Sequence, residues 1–162
     1  MTTKDAYIQH LDEARGGLEA LLPRVDIHKQ IYPGWTLKQL LDHIAGWDDA
    51  VIASLRAHMD GLTPGTPAAR GINYYNAETV STRESLDYEH SLHEWHASRK
   101  LLKETIRSLA EEKLTQPLTL PWGHAGTISQ VVEIFAHHEK EHTADILRWL
   151  EDPDRPIPDS QA

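Results

Sequence analysis

Residues 127–152, TISQVVEIFAHHEKEHTADILRWLED, carry the reading that decides the fold. Val131, Ile134 or Phe135, His138, His142, Ile146 and Trp149 recur at steps of three and four. That is the period of a helix with one inward stripe. Thr127 is a good N-cap for it, and the helix is expected to end near Asp152, before a proline. Two positions of the stripe are imidazoles rather than hydrocarbon. His138 and His142 stand at i, i+4, on one face and one turn apart, close enough to share a metal ion. Glu139, Lys140 and Glu141 are expected to cover the sides that face solvent or the rim.

Three more segments have the same period. The first runs from about Thr3 to Leu22, with Tyr7, Leu11, Ala14, Leu18 and Leu21 or Leu22 on one stripe, and ends before Pro23. The second starts after the turn Pro33-Gly34-Trp35 with Thr36 as N-cap and stops at Asp60-Gly61. Its stripe is Leu37, Leu40 or Leu41, His43 or Ile44, Trp47, Val51 and Leu55. The third begins between Tyr74 and Glu84 and runs to about Glu112, with Leu86, Leu92, Trp95, Leu102, Ile106 and Leu109 along its seam. Residues 62–72 and 114–126, rich in Pro and Gly, read as loops. No strand pattern exceeds the short TLPW stretch. Four helices without a β pattern predict an all-α four-helix bundle, a fold that builds its sites from side chains on facing helices. Residues 1–152 form the expected single domain, and the proline-rich 153–162 a flexible tail.

Bulk composition narrows the function. A chain of 162 residues suits one core. With no cysteine there are no disulfides, no thiolate ligands and no cysteine nucleophile, so sulfur chemistry would need a thiol brought by another molecule. A formal charge of −9 argues against nucleic acid and anionic membrane as partners. The start, MTTKDAYIQHLDEARGG, is polar rather than leader-like, and no apolar run is long enough to span a bilayer. A cytoplasmic protein acting on a small-molecule substrate is expected.

A catalytic metal centre usually takes three protein ligands and keeps a position open. His43, inward on the second helix, is the expected third ligand beside His138 and His142. Three neutral imidazoles suit zinc, nickel, iron or copper. His138-Glu139-Lys140-Glu141-His142 also reads as the zincin motif, but a zincin needs a β-sheet subdomain and a further ligand, so a metalloprotease is rejected.

The order of LLDHIAGW after a Trp-Thr turn, YNAETV, PWG, a Gly-Thr helix start and HHEKEHTADI resembles the DinB-like superfamily of four-helix-bundle proteins. That group includes YfiT-type metal-dependent hydrolases, bacillithiol S-transferases and mycothiol-dependent maleylpyruvate isomerases. The stretch from YNAETV through the third helix is also similar to the ClbS/DfsB branch. The likeness spans roughly Lys4 to Leu150. It implies an up-down-down-up helix order and a divalent metal (nickel, zinc, iron or manganese) on His43, His138 and His142. It further implies a low-molecular-weight thiol as co-substrate and a homodimer.

Other residues invite both a functional and an ordinary reading. His137 points about 100° away from His138, toward the rim. Glu141, Asp42 and Asp48 could orient a ligand histidine, or be solvated. His93 and His96 could line the pocket or supply a base, or be partly exposed. Trp122 and His124 stand where a pocket rim would lie, and Arg99 or Lys100 could bind a substrate carboxylate. No catalytic residue is assigned. Two functions follow: a metal-dependent thiol S-transferase or hydrolase acting on a small electrophile, or a metal-free protein that binds and sequesters a small toxic molecule. A third, weaker reading is a structural dimer whose histidines satisfy one another.

Overall fold

The computed structural model describes residues 1–158. Five α-helices carry it: α1 (Thr3–Glu19), α2 (Leu37–Met59), α3 (Ile72–Ser81), α4 (Tyr88–Ser108) and α5 (Ile128–Trp149). Capping boxes fix the starts of α1, α2 and α5, at Thr2 with Asp5, Thr36 with Gln39 and Thr127 with Gln130. Each box satisfies backbone donors that an uncapped helix start would leave open.

Side-chain contacts give the helix directions. Lys4 reaches the Arg107 carbonyl (3.2 Å) and Asp12 pairs with Lys103 (2.8 Å), so α1 and α4 are antiparallel. His10 meets Glu133 and Arg15 meets Glu139, so α1 and α5 are parallel. Lys38 lies at the Arg83 carbonyl and His58 at that of Lys113, so α2 and α4 are parallel. The result is an up-down-down-up four-helix bundle. None of its helices is long and apolar enough to cross a membrane.

The expected third helix is two helices. The chain leaves α3 at Thr82, and Asp87 starts α4 afresh by accepting the His90 N–H at 2.9 Å. The short α3 is docked on α2 at Gly46, where a Cβ would stand 1.8 Å from Thr79 Oγ1, so only glycine admits the approach. The crossing to α5 carries a two-stranded antiparallel hairpin, β1 (Leu118–Thr119) with β2 (Ala125–Gly126). Gly123, at φ 101°, turns it and leaves Trp122 facing the bundle.

The core has two apolar halves. One holds Leu11, Trp47, Val51, Leu102, Ile106, Val131 and Phe135. The other holds Leu18, Tyr32, Leu40, Ile44, Trp95, Ile146 and Trp149. Between them lies a buried polar layer with Arg15 from α1, His43 and Asp48 from α2, Arg99 from α4, and Glu139 and His142 from α5. Of the expected tail, Ile157 is buried and donates its N–H to the Ile31 carbonyl at 2.7 Å, and Asp154 pairs with Lys29 at 2.7 Å. Positions 159–162 lie outside the described residues.

Candidate metal centre

The structure brings His43, His138 and His142 together, with one ring nitrogen from each inside 4.8 Å of the others. His138 Nε2 lies 3.1 Å from His43 Nε2 and 3.0 Å from His142 Nε2. Nitrogens about 2.0–2.1 Å from one ion, at tetrahedral or octahedral angles, stand about 2.8–3.4 Å apart. His43 and His142 are wholly buried, and His138 is half-buried.

The second ring nitrogens decide which atoms face inward. Tyr32 Oη lies 2.7 Å from both His142 Nδ1 and Asp145 Oδ2. The tyrosine has one proton and gives it to the carboxylate, so it accepts from His142 Nδ1–H. His142 Nε2 is therefore a bare lone pair aimed at the cluster. Asn76, held by Trp47 Nε1–H at 2.7 Å, lies beside His43. Burial, and then the neighbouring imidazoles, hold His43 well below the ordinary histidine range, with Asn76 opposing. Burial and His138 do the same to His142. Burial pushes His138 down to about 4, with Asp48 opposing and Arg99 reinforcing. At neutral pH no proton bridges the rings as a shared cation. His138 Nε2 faces two nitrogens and has at most one hydrogen to offer. The donor set is thus short of positive charge, and a divalent ion on the three Nε2 atoms fits it.

Beside the histidines lies a second buried cluster. Asp48 accepts from Arg99 Nη2 (3.0 Å), Arg15 Nη2 (3.3 Å) and Ser98 Oγ (3.2 Å). Glu139 accepts from Arg15 Nε, and Arg99 Nη2 stands 2.8 Å from Glu139 Oε2 as an ion-pair contact. The Arg15 guanidinium also stacks 3.9 Å over Trp95. Burial lowers the pKa of both arginines; for Arg99 the two carboxylates outweigh it and leave the net shift upward.

Several expectations are corrected here. Glu139 is fully buried, not on the solvent side, because α5 packs along α1, whose Arg15 meets it. Asp48 and Asp42 are also buried, Asp42 pairing with Lys38 at 2.7 Å. Arg99 is committed to Asp48 and Glu139 rather than open to a substrate. Glu141 pairs with His137 at 3.3 Å on the surface and orients neither His43 nor His138. His93, His96, His124 and Lys100 are exposed and apart from the cluster. Sequence reasoning missed Tyr32, Asn76 and Asp145. Asp145 alone left a signal, since it follows His142 by three residues on the same face.

His138 also borders a cleft of about 320 Å³, whose walls include Trp47, Trp122 and Phe135. Trp122 is the rim residue the crossing was expected to supply.

A family model described as the DinB superfamily matches residues 6–146. No curated protein matches this chain. Two solved structures share its fold. A mycothiol-dependent maleylpyruvate isomerase aligns at TM-score 0.74 and 14% identity, over 89% of this chain and 60% of that one. A histidine-to-alanine mutant of that isomerase aligns at TM-score 0.71 and 15% identity, with the same coverage. This chain thus spans about 60% of the length of the isomerase chains.

Proposed function

The chain belongs to the DinB superfamily, and on that premise we propose that it is a metal-dependent enzyme, a thiol S-transferase or hydrolase acting on a small electrophilic molecule. One observation carries the reading: three imidazoles, two of them wholly buried, converge on one point, and the tautomer of His142 is fixed so that its lone pair faces inward. His43, His138 and His142 would hold a divalent ion. When bound, the ion would supply a Lewis acid that acidifies a thiol or water and polarises the electrophile. His142 is held in register by Tyr32 and Asp145. Trp47, Trp122 and Phe135 give one side of the site an apolar wall. The absence of cysteine leaves the thiol to a low-molecular-weight co-substrate, in keeping with the mycothiol dependence named for the isomerase of the same fold. The proposal extends to a cytoplasmic homodimer with residues 1–152 as one domain.

The second reading, a metal-free protein that binds and sequesters a small molecule, draws on the same cleft, which needs no ion to take a ligand.

Elemental mass spectrometry on protein purified without a histidine tag separates the two. The enzyme reading expects about one equivalent of nickel, zinc, iron or manganese, lost in both His43→Ala and His138→Ala. Metal-free wild type that takes up none on addition would sink that reading and leave the binding protein.

A further inference from the structure

The cleft over His138 has walls of one chemical kind, which names the substrate class of the site proposed above. Trp47, Trp122 and Phe135 form its sides, with ring centroids 6.2, 5.8 and 6.4 Å apart. Ile72 and Ile134, 44% and 40% exposed, flank the same concavity. Isolated exposed aliphatics are ordinary, but two on one aromatic-lined cleft mark a binding surface. Polarity is confined to His138 and to the His137–Glu141 pair.

We propose that the cleft takes an uncharged, flat, unsaturated molecule of one or two rings, packed against the three aromatic side chains with its polar end toward His138. The inference rests on the reading of that histidine cluster as the reactive centre. Three observations select the class. Among the described residues, neither lysine nor arginine lines the cleft, so an anion would give up its hydration without a partner and meet Glu141. A compact cation would need the open ring faces of an aromatic cage, whereas these rings pack on one another, Trp47 edge-on to Trp122 at 65° and Phe135 tilted 41° and 38° from them, and form one continuous apolar wall. The volume of about 320 Å³ lies at the low end of small-molecule sites and excludes a long acyl chain or an oligosaccharide.

The test uses three naphthalene probes of one shape: 2-naphthalenemethanol, 2-naphthoate and 2-naphthylmethylammonium. Binding is measured by calorimetry on the purified protein before and after chelator treatment. The charge ranking is read in chelated protein, because a carboxylate would ligate an ion directly. The alcohol is expected to bind at least ten-fold more tightly than either charged probe. Trp122→Ala should weaken it at least ten-fold, and Ile134→Lys, at an exposed position, should raise naphthoate affinity. A charged probe that matches the alcohol, an unaffected Trp122→Ala, or no binding by any probe would overturn the proposal. Metal content is read on the same samples. Metal without probe binding removes the cleft proposal and leaves the metalloenzyme; probe binding without metal does the reverse.

Discussion

The buried layer holds two polar clusters side by side, and they are built on opposite principles. Arg15, Arg99, Asp48 and Glu139 bring two cations and two anions, and each charge meets an opposite one. His43, His138 and His142 bring three neutral rings whose Nε2 atoms converge, with at most one hydrogen on His138 to share between two neighbours. The first is complete as it stands. The second, on the proposed function, is completed by a divalent cation. Balance therefore separates a cluster that holds the helices together from one proposed to hold an ion, although both occupy one level of the bundle and share the helices α2 and α5.

The largest effect tests the balanced cluster. Arg99→Leu leaves Arg15 alone against two buried carboxylates, and removing one partner of such a network costs about 3–5 kcal/mol. Urea unfolding should show that loss, while the metal stoichiometry of the folded protein stays as in the wild type. An unchanged midpoint would break the comparison. The unbalanced cluster should respond to an added divalent ion instead. Free metal at a hundred times its dissociation constant should stabilise the metal-free wild type by about 2.7 kcal/mol. His142→Ala should gain nothing from the same addition. Equal stabilisation of both proteins would place the bound ion elsewhere.

The periodicity of the sequence was enough for the bundle. Every expected inward residue of α2 is buried, and Thr36 and Thr127 cap the helices they were expected to cap. The break between α3 and α4 left no such mark. Ser81 to Leu86 contains neither proline nor glycine, and the break depends on Asp87 and on a close approach to Gly46. The three histidines were legible because they interrupt apolar stripes. The charged cluster was not, because a single stripe was read on each helix. In the bundle α5 packs along α1 while its histidines reach His43 of α2, so its buried face is wider and takes in Glu139, about 100° around from His138. Tyr32 precedes the turn before α2 and meets His142 only through tertiary packing.

That last contact sharpens the comparison on a smaller scale. Tyr32→Phe keeps the buried ring and removes only the hydroxyl that accepts from His142. Its imidazole is then free to turn its proton toward the cluster. Outer-shell partners of this kind are worth about 10–100-fold in metal affinity. Chelator competition should find that loss with nearly unchanged unfolding, and unaltered affinity would mean that the Tyr32–Asp145 pair only packs.

The smallest effect compares two neighbours of the same type. His137 and His138 adjoin in sequence, but the helical step puts one on the surface against Glu141 and the other on the shared nitrogen point. A surface pair of this sort contributes about 0–1 kcal/mol, screened further by salt. His137→Ala should therefore leave metal content at the wild-type value and the unfolding midpoint within about 0.5 kcal/mol. Loss of metal in that variant would show that histidine count, rather than the placement of three lone pairs, governs binding. The distinction between a satisfied and an unsatisfied cluster would then lose its force.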